Sequence, residues 1–269
     1  MANIVVFQQL GLYGRFANQL YQIAGTIGIA RRNGYDFAFP RWRNHDAANF
    51  GEKDDLEVQQ YFVNELPLYE GPDLPQLGIP WGYQDVRLTH SVNLLGHFQS
   101  LRYFEHAIDE VRWYLTMKDE PDYSDYCAIH WRAGDYGEQP TEYKPNGNPY
   151  HPRMKMNYYE PAMAQFPSTQ KFLVFSDNIE GACEMFGERC NYSVGQTYFD
   201  DFKLMKRCSS FIIANSSYSA MAALLSNAPN KRVIAPAPWF GGPYSTSLDP
   251  KDIYNPDWTI INYASGSRS

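Results

Sequence analysis

Four short polar segments of the chain hold the residue types from which a site for a charged ligand is built. They are residues 14–19, 130–136, 175–178 and 200–208, the last followed by residues 212–219. Each is joined to a short apolar run that is typical of a buried strand. Because α/β proteins bind ligands beyond the carboxyl ends of their strands, we expect these segments to contribute ligand-binding groups.

Arg132 is the strongest single candidate for chemistry. It follows a predicted strand at residues 127–131 and precedes Gly134, so its guanidinium is expected just beyond the sheet edge. A guanidinium keeps its positive charge and pairs bidentately with phosphate oxygens. The alternative is a surface ion pair between Arg132 and Asp135.

Hydroxyl side chains cluster in the segment Asn-Ser-Ser-Tyr-Ser at residues 215–219, at the start of a predicted helix. The backbone N–H groups and the dipole of a helix N-terminus attract anions. Helix capping by one serine is the structural alternative, but it leaves the remaining hydroxyls unexplained. For Asp177 and Asn178 capping alone is an adequate account, and for Gly14 a plain helix start is one.

Metal ligands are not expected. The sequence holds no Asp-x-Asp pair, and its six histidines and four cysteines form none of the usual metal-binding spacings. P-loop, Gly-x-Gly-x-x-Gly and Gly-x-Ser-x-Gly motifs are also missing, which argues against nucleotide kinases, dinucleotide oxidoreductases and serine hydrolases. We therefore expect neither a metal nor a cofactor.

The composition describes a protein that buries a core of its own. Of 269 residues, 44% are apolar and 16% aromatic, and the net charge is −7. This acidic balance argues against nucleic acids and anionic membranes as partners. No apolar stretch reaches the roughly 18 residues of a membrane span, and the first residues do not resemble a secretory leader. We expect a cytoplasmic protein with reduced thiols.

The elements that position the polar segments alternate in the manner of parallel α/β proteins. Strands are predicted at residues 4–7, 37–39, 127–131, 171–175, 211–214 and 232–235. Helices are predicted at residues 16–27, 102–115, 157–166, 199–207 and 219–225 and from Ile179 onward. Residues 41–91 lack periodicity and are expected to form long loops and short helices. A change of composition near residue 118 marks a domain boundary.

In this order and spacing, the motifs resemble the α-1,2-fucosyltransferases of glycosyltransferase family 11, and more distantly the α-1,6- and protein O-fucosyltransferases. The pair His-x-Arg-x-Gly-Asp-Tyr at residues 130–136 and Ile-Ala-Asn-Ser-Ser-x-Ser at residues 213–219 carries most of the resemblance. The chain departs from the family pattern at Ala17, Asn178 and residues 220–223, where the family usually has Gly, Asp and Trp-Trp-Gly-Ala.

The resemblance implies a GT-B-like α/β fold of two Rossmann-like domains, with the nucleotide-sugar site in the cleft. Residues 1–118 would form the acceptor-side domain and residues 119–269 the domain that holds the donor GDP-fucose; the last ~20 residues could pack back on the first domain. The implied reaction is an inverting, metal-independent transfer of L-fucose from GDP-β-L-fucose to a hydroxyl of a glycan. The expected hydroxyl is O2 of a terminal galactose, which gives an α-1,2 linkage.

The resemblance also implies roles for particular residues. Donor binding falls to Asn18, His130, Arg132, Asp177, Asp201, Ser216 and Ser217. Arg132 would act in catalysis as well, by stabilising the negative charge that grows on the β-phosphate. His130 and Asp201 would contact the guanine or the ribose. Asp135 is the first candidate for the general base, with Glu138 and Glu142 as rivals.

Two other functions are compatible with the sequence. A transferase with the same GDP site could form another linkage or carry another sugar. A protein that binds nucleotide sugars or glycans without catalysis is suggested by the altered residues 220–223. Hydrolysis of GDP-fucose in the absence of an acceptor separates an enzyme from such a binding protein.

Overall fold

The chain folds as two compact α/β units. In the computed structural model, the structure describes residues 3–44, 56–137, 147–195, 197–242 and 244–263. The first unit comprises Met1–Asp119 together with Lys251–Ile253, and the second comprises Glu120–Pro250 together with Tyr254–Ser269. The division falls at Asp119; the acceptor-side and donor-side roles of the two parts stay predictions.

A four-stranded parallel sheet forms the centre of the first unit. Its elements are β1 (Ile4–Val6), α1 (Phe16–Asn33), β2 (Asp36–Ala38), β3 (Arg43–Asn44), β4 (Leu56–Glu57), β5 (Gln76–Gly78), β6 (Val92–Leu95) and α2 (Ile108–Tyr114). The main sheet has the order β2-β1-β6-β5, and β3 and β4 form a separate antiparallel pair. After β1 the chain adds β2 on one side of β1, and it later adds β6 and β5 on the other side. The strand order therefore reverses between β1 and β6.

Part of the first unit differs from the sequence expectation. The prediction of long loops from residue 41 to 91 was wrong for β5, which is a three-residue strand on the edge of the sheet. The predicted helix at residues 102–115 begins as two short 3-10 turns and becomes α-helical only at Ile108. Phe104 interrupts the helix there because its backbone lies at φ −135° and ψ 7°.

The second unit contains a six-stranded parallel sheet. Its strands are β7 (Tyr123–Trp131), β8 (Lys171–Ser176), β9 (Asn191–Tyr192), β10 (Cys208–Ile212), β11 (Val233–Ala237) and β12 (Thr259–Asn262). Its helices are α3 (Met156–Met163), α4 (Ile179–Phe186), α5 (Tyr198–Lys206), α6 (Ser217–Leu225) and α7 (Tyr244–Ser247). The order β12-β11-β10-β7-β8-β9 is that of a Rossmann fold, with the strand order reversing between β7 and β10.

Two buried tyrosines of α3 donate hydrogen bonds to the backbone of three neighbouring strands. The hydroxyl of Tyr159 donates to the carbonyl of His130 at 2.7 Å. The hydroxyl of Tyr158 donates to the carbonyls of Ile213 at 2.7 Å and Ile234 at 3.0 Å. Because these phenols satisfy backbone carbonyls of β7, β11 and the residue after β10 inside the core, they tie three neighbouring strands together below the polar segments.

Among the helices of the described ranges, none combines the length and the apolar composition that a bilayer crossing requires.

Candidate active site

The point at which the second sheet reverses its strand order brings two of the predicted polar segments together. Strands β7 and β10 are neighbours, with Ile129 opposite Ile212. Residues 130–136 follow the end of β7, and residues 213–219 follow the end of β10. The hydroxyl of Tyr136 donates to the carbonyl of Asn215 at 3.3 Å, which joins the two segments directly. Rossmann folds bind their ligands at this position.

Arg132 is held in place by two carboxylates. Its Nε and Nη2 donate to Oδ1 of Asp135 at 3.1 and 2.7 Å, and its Nη1 lies 2.8 Å from Oδ2 of Asp177. Burial alone would lower the pKa of the Arg132 guanidinium, but the two carboxylates outweigh burial and raise that pKa. The guanidinium is therefore a fixed positive charge, and 23% of the side chain remains exposed for a ligand.

Asp177 holds the loop on which Arg132 lies. Its Oδ1 accepts a hydrogen bond from the backbone N–H of Ala133 at 2.8 Å, and its Oδ2 accepts one from Gly134 at 2.9 Å. On the other side of the loop, Arg153 donates to the carbonyls of Ala133 at 2.6 Å and Tyr136 at 3.1 Å. Both oxygens of Asp177 thus already contact groups of the protein. A direct contact of Asp177 with the donor nucleotide sugar stays a prediction.

Asp135, the first candidate for the general base, is buried, and one of its oxygens accepts both bonds from Arg132. Its backbone carbonyl accepts a hydrogen bond from Asn148 at 2.9 Å. This geometry favours a role in orienting Arg132, while the role of base stays a prediction. The rival candidates Glu138 and Glu142 lie outside the described residues.

His130 is buried beside Arg132. Its Nδ1 lies 2.9 Å from the hydroxyl of Ser219 on α6. Burial, followed by the charge of Arg132, lowers the pKa of His130 to about 3. The imidazole is therefore neutral at physiological pH. Its predicted contact with guanine or ribose stays untested.

Ser216 and Ser217 lie at the N-terminus of α6. The hydroxyl of Ser216 caps the helix by accepting from the N–H of Tyr218 at 3.3 Å. Ser217 is the first residue of the helix and is half-buried. The structure therefore provides the positive end of a nine-residue helix beside the Arg132 loop. Unpaired N–H groups and the helix dipole make such an end suitable for phosphate.

Asp201 lies on the first turn of α5, on the β8–β9 side of the same sheet. It accepts a hydrogen bond from the hydroxyl of Ser193, in the loop after β9. Its neighbour Asp200 is more exposed and pairs instead with Thr197 at 2.8 Å and Lys203 at 3.6 Å. The two aspartates therefore have different surroundings.

Asn18 belongs to the first unit, where β1 and β6 reverse the strand order. Its Oδ1 accepts from Nε2 of Gln99 at 2.8 Å. Beside this pair, the hydroxyl of Tyr13 lies 3.0 Å from Nε2 of His97, and the two rings stack at 4.8 Å. Buried Gln22 donates to the carbonyl of Tyr13 at 2.7 Å and so holds the loop in place. The contribution of Asn18 to donor binding stays a prediction.

Within the described ranges, His, Cys, Asp and Glu side chains form no group of three or more that could hold a metal ion. At the end of β7 the structure supplies a cationic group in the guanidinium of Arg132.

The sequence was then compared with known proteins. The sequence profile of glycosyl transferase family 11 matches residues 82–262, a range that contains the Arg132 loop and the N-terminus of α6. The chain belongs to glycosyltransferase family 11. The predicted family is thereby confirmed, and the chain is a member of a family of glycosyltransferases.

Two curated relatives come from Escherichia coli. The O-antigen biosynthesis glycosyltransferase WbnK is 32% identical over 207 residues, which cover 71% of this chain and 66% of WbnK. An α-1,2-colitosyltransferase is 29% identical over 180 residues, covering 60% of each chain. The family 11 chain thus spans 60–66% of the length of these curated relatives, less than two thirds of each.

Two solved structures share the fold. The NodZ α-1,6-fucosyltransferase soaked with GDP-fucose aligns with a TM-score of 0.51 at 13% identity, over 90% of this chain and 97% of NodZ. POFUT1 in complex with GDP aligns with a TM-score of 0.50 at 11% identity, over 87% of this chain and 98% of POFUT1. These likenesses confirm the GT-B-like α/β fold class; the position of a nucleotide-sugar site in a cleft stays a prediction.

Sequence reasoning missed two residues of the family 11 site that hydrogen-bond to its predicted ligand-binding segments. Arg153 and Ser193 were not singled out, because a lone Arg in a loop and a lone Ser after a two-residue strand carry no recognisable spacing. Asp177 was singled out as a ligand contact, whereas the structure shows it bonded to a loop 43 and 44 residues earlier in the chain. Such contacts follow from the pairing of β7 with β8, which spacing alone does not reveal.

Proposed function

We propose that this family 11 protein transfers L-fucose from GDP-β-L-fucose to O2 of a terminal galactose on a glycan, with inversion, to give an α-1,2 linkage. The oxygen of the acceptor attacks the anomeric carbon, the bond from that carbon to the β-phosphate oxygen breaks, and GDP leaves. The proton of the acceptor passes to a general base, for which Asp135, Glu138 and Glu142 are the candidates.

The observation that carries this proposal is the fixed guanidinium of Arg132 beside the N-terminus of α6. Negative charge grows on the β-phosphate as the sugar–phosphate bond breaks. Groups already aimed at that charge stabilise the transition state more than the ground state. Arg132, held by Asp135 and Asp177, needs no rearrangement to do so. We therefore propose that the reaction requires no metal ion.

The acceptor is proposed to bind the first unit. Where β1 and β6 end, the rings of Tyr13 and His97 stack, and Trp81 lies with its ring centre 6.4 Å from that of His97. The amides of Asn18 and Gln99 lie in the same segments. Aromatic faces combined with a few polar groups are typical of small-molecule sites, and a pyranose offers both an apolar face and hydroxyls.

A second candidate keeps the α-1,2 linkage and changes the sugar. One relative is an α-1,2-colitosyltransferase. Residues 220–223, which depart from the family pattern, are buried inside α6. Because they are buried, we propose that they influence donor recognition through the packing of α6. Colitose in place of fucose is the alternative that this combination favours.

The test is a donor and acceptor panel with linkage analysis of the product. The protein is incubated with GDP-fucose, GDP-colitose, GDP-mannose or UDP-galactose and a set of β-galactosides. We expect transfer from GDP-fucose and a product whose new bond is α-1,2 to galactose. Transfer from GDP-colitose alone would support the second candidate. GDP release only by hydrolysis, or no release from any donor, would contradict the proposed transferase function.

A further inference from the structure

The loop after β9 is built around the carboxylate of Asp201. Ser193 is buried, and its hydroxyl donates to Oδ1 of Asp201. The backbone N–H of Ser193 donates to the carbonyl of Val174 at 2.8 Å, which continues the pairing of β9 with β8. The position of the hydroxyl is therefore set by the sheet and not by a free loop.

Gly195 lies against the same oxygen. A Cβ atom built on Gly195 would lie 2.2 Å from Oδ1 of Asp201 and 3.0 Å from its Cγ. Its φ lies outside the left-handed region, so the backbone conformation does not require glycine here. The close approach of the backbone to Asp201 is what requires glycine at this position. Ser193 thus bonds to Oδ1 of Asp201, and the missing side chain of Gly195 leaves room for that oxygen.

Asp201 is short of partners for a largely buried carboxylate. Within the described ranges it forms no ion pair, and its Oδ2 accepts no hydrogen bond. Burial raises the pKa of Asp201, the hydrogen bond from Ser193 opposes that rise, and the charge of Asp200 adds to it. A carboxylate in such surroundings gains from a ligand that donates hydrogen bonds to it.

We propose that Ser193 and Gly195 are specificity-determining positions that hold the Asp201 carboxylate for a base with two adjacent N–H donors, as guanine has in N1–H and its 2-amino group. The inference rests on the proposed GDP-sugar donor. It assigns Ser193 and Gly195 a positioning role, since neither needs to touch the base.

Within the described residues, two titratable groups interact electrostatically with Asp201. Asp200 lies on the same helix, and Tyr218 of α6 interacts electrostatically with Asp201. Burial keeps the pKa of Tyr218 well above its ordinary value, so this phenol is neutral across the acid range. We call the loss of guanine recognition at low pH the acid limb. It therefore reports the titration of Asp201, modified by Asp200 and by the hydroxyl of Ser193.

The experiment is isothermal titration of the full chain with GDP and with inosine diphosphate, which lacks the 2-amino group, from about pH 4.5 to 8. The two ligands share their phosphates, so the ratio of their Kd values cancels the titration of the diphosphate. We expect wild type to prefer GDP at least about tenfold at neutral pH, since one lost hydrogen bond to a charged group has about that effect.

Ser193→Ala and Gly195→Ala are the test variants. Both should reduce the preference for GDP by about tenfold. In Ser193→Ala the preference should also disappear at higher pH than in wild type, because the lost hydrogen bond favoured the ionised carboxylate. Ser193→Thr should restore both values, and Asp200→Asn should move the acid limb slightly the other way.

Two controls match the test variants. Ser209→Ala removes a hydroxyl that donates to the carbonyl of Tyr126 at 2.9 Å on another strand of the same sheet. Gly78→Ala adds a methyl group where nothing lies within 4 Å. An unchanged ratio and acid limb in both test variants would overturn the inference while the proposed function stands. A wild type that binds GDP and inosine diphosphate equally would overturn it too. A wild type that binds neither would instead refute the GDP-sugar function.

Discussion

At the scale of single residues, the site is a set of charges held by hydrogen bonds and ion pairs to backbone and side-chain groups. Asp177 contacts two consecutive backbone N–H groups and the guanidinium of Arg132. A carboxylate with three donors is a rigid support, because moving it breaks several charge-assisted bonds at once. Arg132 owes its orientation to Asp177 as much as to Asp135.

The role of Asp177 gives a prediction for Asp177→Asn. The amide keeps the size of the side chain but replaces one acceptor oxygen by a donor. Oδ2 contacts both Gly134 and Arg132, and Oδ1 contacts Ala133, so either the first two contacts or the third is lost. We expect kcat to fall by about 10- to 100-fold, or about 1.4–2.7 kcal/mol, with a smaller change in KM for the donor. Steady-state kinetics measures both.

The matched control is Asp125→Asn, which removes the charge of an exposed aspartate that pairs with Lys171 at 3.4 Å on the same sheet. It should leave kcat unchanged. Wild-type kcat in Asp177→Asn would show that Arg132 does not depend on this support.

The kinds of side chain in the site could be predicted from the sequence, but the hydrogen bonds between them could not. Arg132 and the hydroxyls at residues 215–219 carry a local pattern of strand end, turn and helix start. The link from Asp177 to Gly134 and the link from Ser193 to Asp201 depend on which strands are neighbours. A single sequence without its fold does not contain that information in any short window.

At the scale of elements, the long strands of the second unit were predictable and the short edge strands were not. The strand β7 has a continuous buried apolar segment from Cys127 to Ile129, and its pattern is plain. By contrast, β9 has two residues and β12 is largely exposed on the edge of the sheet. Both lack an apolar pattern because they bury little surface.

Helix α1 makes a backbone contact that yields an element-scale prediction. A Cβ atom on Gly28 would lie 2.1 Å from the carbonyl oxygen of Tyr103 and 2.7 Å from Cα of Phe104. Replacing Gly by Ala in a helix gains about 1 kcal/mol, but overpacking against backbone costs about 1–3 kcal/mol or more. We expect Gly28→Ala to lower the Tm of the protein. Thermal unfolding followed by circular dichroism measures this.

Gly78→Ala serves as the control for the effect of an added methyl group, since open space surrounds that position. Its Tm should remain close to that of wild type. If Gly28→Ala proved as stable as Gly78→Ala, the close packing of α1 on residues 103 and 104 would be refuted.

At the scale of the whole molecule, the chain contains two α/β units. Each is built on a parallel sheet with a point where the strand order reverses. In the second unit, the guanidinium of Arg132, held by Asp135 and Asp177, and the N-terminus of α6 lie at that point. In the first unit, the rings of Tyr13 and His97 lie there. The proposed division of labour, with the donor on the second unit and the acceptor on the first, follows from these two sets of side chains.

The central claim is that Arg132 stabilises the departing diphosphate without a metal ion. Its most direct test is the turnover of GDP-fucose with a β-galactoside acceptor in excess EDTA, for wild type and for Arg132→Lys. Lysine keeps one positive charge but loses the planar group that Asp135 and Asp177 hold. We predict full wild-type activity in EDTA and a loss of at least about a hundredfold, or about 2.7 kcal/mol, in Arg132→Lys. Loss of wild-type activity in EDTA with recovery in Mn²⁺, or near-normal turnover in Arg132→Lys, would contradict the claim.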